Sequence, residues 1–341
     1  MKSQISLDNR LFGIPCREVV TYTVHSLIKH FDFFNKLGKN EWTFEKITKE
    51  FGFDGRVFDA TLNYLRKEGL LEKSGIDSTK YVLTKDALRF LTREGKNDLS
   101  SFVTILEGCV PNKAADAIAF ALTTGTSAKW NETESWSAAM KSGAISQRFS
   151  EGMMARGKYL SETLVTSLKD VLSDRRSLLD IGGSLGDYSG VFARNNPNLQ
   201  CAVFDLPKVI EGTKRNISQR GYERVITVDG DFFSDNLPKG YDAHFYSNVL
   251  HDWTQEKVKV LLKKSHEALN PSGKIIIHGM HLNSDKTGPE LAIDHSLYLS
   301  VFTEGRNYST KEISEMLKGV GFKRSQKYHS AGGYSAIVAT K

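Results

Sequence analysis

The stretch Asp180-Ile181-Gly182-Gly183-Ser184-Leu185-Gly186 closes the apolar run that begins at Ser177 and leads into residues patterned as a helix. Glycines at such a corner let the backbone turn tightly and let a ligand reach main-chain amides with no Cβ in the way. A plain tight turn would look similar, so the corner gains weight only from what surrounds it. The dinucleotide fingerprint G-x-G-x-x-G fits poorly, because the glycines are adjacent and an acidic residue precedes them. A pyrophosphate prefers the bare positive end of a helix. Asp180 would repel it and would suit a cationic ligand instead.

Downstream, the runs QCAVFDLP, VITVDGDFF, YDAHFYSNVL, GKIIIHGM and YSAIVATK alternate with helical segments, the pattern of a parallel α/β sheet. The last run is expected to pair with FKRSQKYHS across Ala331, Gly332 and Gly333, ending the sheet in an antiparallel hairpin. The second strand ends Phe204-Asp205-Leu206-Pro207, where a carboxylate can accept hydrogen bonds from ribose hydroxyls. The third ends Gly230-Asp231-Phe232-Phe233, where Asp231 could accept from the exocyclic amine of a purine and Phe232 could pack on its face. Each carboxylate taken singly could simply cap a helix. Three at successive strand ends, all on the edge where open α/β sheets bind ligands, argue for a site. The fourth strand ends Asn248-Val249-Leu250-His251-Asp252-Trp253 and brings a histidine to the same edge.

Upstream, apolar residues from Val19 to Phe34 recur at helical spacing and predict one packed helix from about Pro15 to Leu37. Thr43 is read as opening a short helix and Asp54 as capping a second, with the alternating KYVLT after a turn around Ser74 to Ser78. Helix, turn, helix and hairpin make a winged-helix pattern. Residues 97–172 read as helices, and the stripe of the longest is broken by Met153, Met154 and Arg156. The domains are therefore drawn as 1–100, 101–172 and 173–341.

The chain has 341 residues, 40% hydrophobic and 25% charged, an ordinary globular composition with room for about two domains. No secretory signal and no run of membrane-spanning length is read, so a cytoplasmic protein with no membrane partner is expected. Cys16, Cys109 and Cys201 are odd in number and far apart, which suggests neither disulfides nor a zinc site. The net charge of +6 raises the question of nucleic acid. The first hundred residues hold 17 basic against 14 acidic side chains. The would-be recognition helix sets Arg56, Arg66 and Lys67 among Asp59, Glu68 and apolar residues, so no nucleic-acid partner is expected.

DIGGSLG, FDLP, GDFF and HDW, in this order and at these intervals, resemble the S-adenosylmethionine (SAM)-dependent O-methyltransferases of the plant caffeate type and their bacterial antibiotic-pathway relatives. The terminal segment RNYSTKEISEMLKGVGF and the winged-helix-like N-terminal part are similar too. The resemblance implies a Rossmann-like SAM domain, a mostly helical N-terminal domain that forms a homodimer and closes over the substrate, and no metal. It implies that Gly182 and Gly183 face the amino-acid end of SAM, Asp205 the ribose, and Asp231 with Phe232 the adenine. Asp180 and Ser247 are counted with this donor set. His251 becomes the general base. Phe149, Met153, His295, Tyr298, Phe302 and Asn307, with the segment Val103 to Val110, are expected to line a pocket for a flat aromatic acceptor.

The chain departs from the family pattern in four places. Ser184 stands where a third glycine is usual, which a negative φ would tolerate. Ser247 is not the lysine sometimes found there. Gly279 and Asn307 stand where two glutamates usually flank the histidine, which leaves Asp252, His278 or Asn307 as candidates for a substitute hydrogen bond. Relatives with this architecture also use bound SAM for hydroxylation, decarboxylation or ring closure. That chemistry is the alternative to methyl transfer, and a DNA-binding regulator is the more distant one.

Overall fold

A computed structural model describes residues 17–53, 55–74, 79–103 and 143–341. The chain divides into two compact units, Met1–Glu107 and Gly108–Lys341.

In the first unit the long N-terminal helix expected from the apolar repeat is interrupted. Helix α1 (Arg17–Phe31) stops at Asp32, and α2 (Phe33–Leu37) starts anew. Asp32 has φ 50°, a left-handed conformation that a carboxylate residue can adopt when its side chain bonds locally. Its carboxylate accepts from Asn35 Nδ2 at 2.7 Å and from Arg93 at 3.0 Å. The apolar periodicity runs through the break because Leu27, Phe33, Phe34 and Leu37 all enter one core. Thr43 caps α3 (Phe44–Phe51) as expected, its hydroxyl accepting from Lys46 N. The capping role given to Asp54 lies outside the described residues. Helix α4 (Gly55–Lys67) follows, then β2 (Leu71–Lys73) and β3 (Lys80–Leu83) as a hairpin. The short β1 (Trp42–Thr43) pairs with β3 to complete a three-stranded sheet.

The second unit is built on seven strands. Helix α7 (Gly143–Ser167) precedes β4 (Ser177–Ile181), β5 (Gln200–Asp205), β6 (Val225–Asp229), β7 (Tyr241–Ser247), β8 (Leu269–Gly279), β9 (Lys323–His329) and β10 (Ser335–Thr340). Their order is β6-β5-β4-β7-β8-β10-β9. The first five are parallel, and β10 runs antiparallel to both β8 and β9. The expected terminal hairpin is therefore present, with its second strand inserted inward beside β8. The edge strand β9, KRSQKYH, is mostly exposed and basic, a composition that discourages edge-to-edge pairing.

Alternation along the strands builds both faces of the core. Leu178, Val203, Phe245 and Ile276 pack on one side, and Leu179, Phe204, Tyr246 and Ile277 on the other. Burial on both faces is why these strands read as continuous apolar runs. After β4 the chain adds β5 and β6 on one side, then returns to place β7 on the other. The point where strand order reverses thus lies between β4 and β7, and such a switch point opens a crevice at the carboxyl ends of the strands.

Candidate active site

The loop after β4 is shaped by what lies under it. Gly182 has φ +70°, where an L side chain is strained. A Cβ there would come within 2.8 Å of Val249. A Cβ on Gly183 would meet the Asp180 carboxyl group at 2.6 Å. The two glycines therefore let the turn settle directly on Asp180 and against the loop after β7. Asp180 is 1% exposed and accepts from Ser189 Oγ at 2.8 Å. Burial pushes its carboxyl up to about 7, against the Ser189 hydroxyl, while the charges of Asp205 and Asp187 add to the rise. Asp180 is enclosed beneath the turn, where it braces the backbone.

Ser184 has φ +51°, which corrects the expectation of a negative φ. It holds this left-handed conformation because both its backbone groups are bonded: its N–H donates to Asp205 Oδ2 at 2.9 Å and its carbonyl accepts from Thr213 Oγ1 at 2.6 Å. Asp205 also accepts from Leu206 N at 2.8 Å. Burial raises its carboxyl to about 6 while the two N–H groups oppose the shift. A carboxylate has about four lone-pair positions, so the two backbone bonds leave acceptor capacity unused.

Asp231 lies two residues beyond the end of β6 and accepts from Phe233 N at 2.9 Å. Phe232 meets Phe233 edge to face at 4.9 Å and Trp253 at 6.0 Å. Its ring edge is 3.8 Å from where a Gly182 Cβ would stand, so the aromatic ring borders the glycine turn. Ser247 Oγ contacts His278 Nδ1 at 2.9 Å and accepts from Asn248 Nδ2 at 3.1 Å. Its partners therefore lie on the β8 side of the switch point.

His251 sits in a one-turn 3₁₀ segment, Leu250–Asp252, just after β7. Its side chain is 12% exposed. Its basicity is held well below the ordinary imidazole range by burial first, then by electrostatic interaction with His295, Arg156 and His281. One group acts the other way: the Asn307 side chain favours the protonated ring. Asn307 is fully buried and donates from Nδ2 to the Ala292 carbonyl at 2.9 Å. Its amide also contacts His295 Nδ1, and the His251 and His295 rings meet edge to face at 5.3 Å.

Of the three candidates for a substitute partner, Asn307 is the one that acts to raise the basicity of His251. The Asp252 Oδ1 to His251 Nε2 distance is 3.8 Å, too long for a hydrogen bond. Burial also lifts the Asp252 carboxyl to about 8. His278 is engaged with Ser247. Gly279 ends β8 with open space where a Cβ would stand. It borders a small cavity shared with His251, His278, Asn248, Tyr308 and Ile313.

Among the expected acceptor-site residues, His295 and Asn307 join His251 directly. Tyr298 stacks on His295 at 6.4 Å, and Met153 lies half-buried on α7. The side chains of Phe149 and Phe302, and residues 104–110, lie outside the described residues. Arg156 was legible only as a charge interrupting an apolar stripe. It donates to Tyr334 Oη at 3.2 Å and acts on His251, His278 and His295. Among the described residues, no group of three or more His, Cys, Asp or Glu side chains is placed to hold a metal ion.

A family profile described as an O-methyltransferase domain matches residues 105–323. With it go the parallel sheet, the glycine corner over Asp180 and the histidine after β7: the chain belongs to this O-methyltransferase family. It is 31% identical to acetylserotonin O-methyltransferase of Gallus gallus over 50% of this chain and 49% of that one. It is likewise 31% identical to 3-hydroxy-5-methyl-1-naphthoate 3-O-methyltransferase of Streptomyces sahachiroi, over 57% of each. The matched stretches thus span about half the length of these curated relatives. The crystal structure of human N-acetylserotonin methyltransferase in complex with SAM superposes with a TM-score of 0.82 at 22% identity, covering 100% of this chain and 99% of that one.

Proposed function

We propose that this protein binds SAM at the carboxyl ends of β4 to β7 and transfers its methyl group to a hydroxyl, phenolic for preference, of a small flat molecule, with His251 as general base. The observation that carries this reading is the convergence of the bare Gly182–Gly183 turn, Asp205, Asp231 with Phe232, and His251 on one strand edge around the switch point. Both glycines let the turn lie directly on Val249 and Asp180, where a Cβ would clash, and Asp205 keeps acceptor capacity beyond its two backbone bonds. These are the features an adenosyl group needs. When bound, SAM supplies an activated methyl carbon on a sulfonium.

The protein's own residues position and deprotonate. Holding two reactants in line can contribute about 7–11 kcal/mol. His251 is neutral at physiological pH because burial and the Arg156 guanidinium keep it so, and a neutral imidazole is the form that takes a proton. Asn307 orients the ring through a neutral amide and adds no negative charge to stabilise the imidazolium. The base is therefore weak, and an acidic acceptor hydroxyl or a carboxyl suits it best. Asp205 serves the ribose and Asp231 with Phe232 the adenine. His295, Tyr298, Met153 and Asn307 line the acceptor side.

In the same reading, residues 1–100 form a winged-helix-like domain that pairs two copies of the chain, 101–172 a helical link, and 173–341 the catalytic domain. The protein works in the cytoplasm, in secondary metabolism, without nucleic acid, metal or membrane. Among the described residues, no helix is long and apolar enough to cross a membrane. A second reading keeps the SAM site and replaces methyl transfer by hydroxylation, decarboxylation or ring closure. It is favoured by the absence of a carboxylate at Gly279 and Asn307. The deciding experiment screens phenols, quinones and carboxylates with radiolabelled SAM and quantifies S-adenosylhomocysteine (SAH). Label transferred in step with SAH supports the first reading. Product formed without SAH supports the second.

A further inference from the structure

The turn that carries His251 is seated on a second segment, Glu304–Tyr308, of which the reaction outlined above uses only Asn307. Gly305 makes the closest approach. A Cβ built on it would stand 2.3 Å from the His251 carbonyl oxygen, and 2.5 and 2.7 Å from N and O of Trp253. All three are backbone atoms, so no flexible side chain is there to yield. The φ of Gly305 lies outside the left-handed region. Close approach of two backbones is therefore what requires glycine here.

Two hydrogen bonds extend the contact. Glu304 N donates to the Asp252 carbonyl at 3.2 Å, and Tyr308 Oη donates to the Trp253 carbonyl at 2.7 Å. The segment thus engages the carbonyls of His251, Asp252 and Trp253 in succession. Its own position is fixed from behind. Arg306 donates to Glu312 at 2.6 Å, Lys286 donates to the same carboxylate at 2.8 Å, and Leu282 N donates to the Tyr308 carbonyl at 3.2 Å. Tyr308 is 4% exposed, and Ser309 caps the helix Thr310–Gly319 in a capping box with Glu312. Close-packed interiors transmit a displacement instead of absorbing it. A carbon and a carbonyl oxygen come no closer than about 3.3 Å, so a methyl group at position 305 forces the two segments apart by about 1 Å. A shift of that size at a reacting group can lower a rate by about 10²-fold.

We propose that Gly305 and Tyr308 are positioning residues for His251: the bare backbone at 305 and the Tyr308 hydroxyl fix the histidine turn after β7, and with it the placement of the imidazole. The inference rests on the methyltransferase reading for the role of His251 as base, and on the contacts alone for the placement of its ring.

The test makes Gly305→Ala and Tyr308→Phe in the full-length protein, each alone and combined with His251→Ala. Tyr308→Phe keeps the ring and adds no bulk, which covers the case in which Gly305→Ala fails to fold. Turnover is measured with radiolabelled SAM and the acceptor found in the screen of phenols, quinones and carboxylates. Gly305→Ala is expected to lower kcat by about 10²-fold and Tyr308→Phe by about tenfold, while SAH affinity in calorimetry stays within about twofold. In the His251→Ala background neither substitution lowers kcat further, because residues that act through one group are not additive. Equal losses in both backgrounds are what general destabilisation produces, and they overturn the proposal. Histidine ¹⁵N spectra, with the His251 signal assigned from His251→Ala, give a readout that needs no turnover. Both variants should shift that signal, and an unmoved signal overturns the proposal. Unaltered turnover in His251→Ala overturns the general-base reading instead, and the spectra then decide the positioning role by themselves.

Discussion

Asn307, completely buried and anchored to the Ala292 carbonyl, contacts His295 Nδ1 through its amide, and the His295 ring meets that of His251 edge to face at 5.3 Å. A neutral amide therefore occupies the orienting position next to the proposed base. An opposite charge within about 4–6 Å raises an imidazole pKa by about 1–3 units. Asn307→Asp is expected to move the acidic limb of the kcat/KM pH profile upward by about that much. Asn307→Leu, which leaves Ala292 without its donor, should cost about 1–3 kcal/mol of stability and move the limb downward if at all. An unshifted limb in Asn307→Asp would show that His251 does not govern the profile.

His251→Ala should lower turnover by about 10²- to 10⁴-fold, the usual contribution of a positioned base. SAM affinity measured by calorimetry should stay within about twofold, because His251 stands on the acceptor side of the switch point. Methylation at the unaltered rate would remove His251 from the mechanism.

Ser184 adopts φ +51° in the turn over Asp180. Left-handed backbone costs a residue with a Cβ about 1–2 kcal/mol, whereas glycine in the unfolded chain has about 0.5–1 kcal/mol more entropy to lose. Ser184→Gly should therefore stabilise the protein by about 0.5–1 kcal/mol in urea titrations, since the bonds to Asp205 and Thr213 are made by its backbone. Ser184→Val should destabilise it.

SAM binding should be coupled to proton release. Burial raises the carboxyls of Asp205 to about 6 and Asp180 to about 7 in the free protein. A sulfonium and ribose hydroxyls both favour the ionised forms, so affinity should rise as pH increases from 5 to 7. Calorimetry at pH 6 in buffers of differing ionisation enthalpy should detect protons leaving on binding. Proton uptake would contradict the assignment.

Stability should fall toward acid. His244, His251, His278, His281 and His295 all have imidazoles depressed by burial, to about 3 for His244 and His281 and about 4 for His295. Each stays neutral in the fold and takes up a proton near pH 6.5 when unfolded, so its contribution is lost as pH falls from there toward the folded value. Asp180, Asp205 and Asp252 have raised folded values. Their contribution is complete below about pH 3.8 and is lost as pH rises through about 6 to 8. Five protons oppose three between pH 5 and 6. The balance is a loss of about 2–3 kcal/mol per unit of acidification, with a maximum between about pH 6 and 7. Denaturant midpoints at pH 5, 6 and 7 would register it, and a flat or rising profile toward acid would count against these neutral histidines.

Much of the fold was legible in sequence because strands buried on both faces announce themselves as apolar runs, and the parallel segment needs helices between them. DIGGSLG placed the corner, and HDW placed the histidine at the neighbouring strand end. The break at Asp32 was hidden because the apolar repeat continues across it into a single core.

What the sequence determined by itself was local: which residues make strands, where glycine frees the backbone, and which carboxylates and which imidazole stand at strand ends. Which of Asp252, His278 and Asn307 acts on His251 was a tertiary decision, as were the burial of Asp180 under its own turn and the arrival of Arg156 among the histidines. Hydrogen bonds and desolvation depend on distances of a few ångströms between segments 20 to 150 residues apart, and only packing of the sheet against its helices sets those distances.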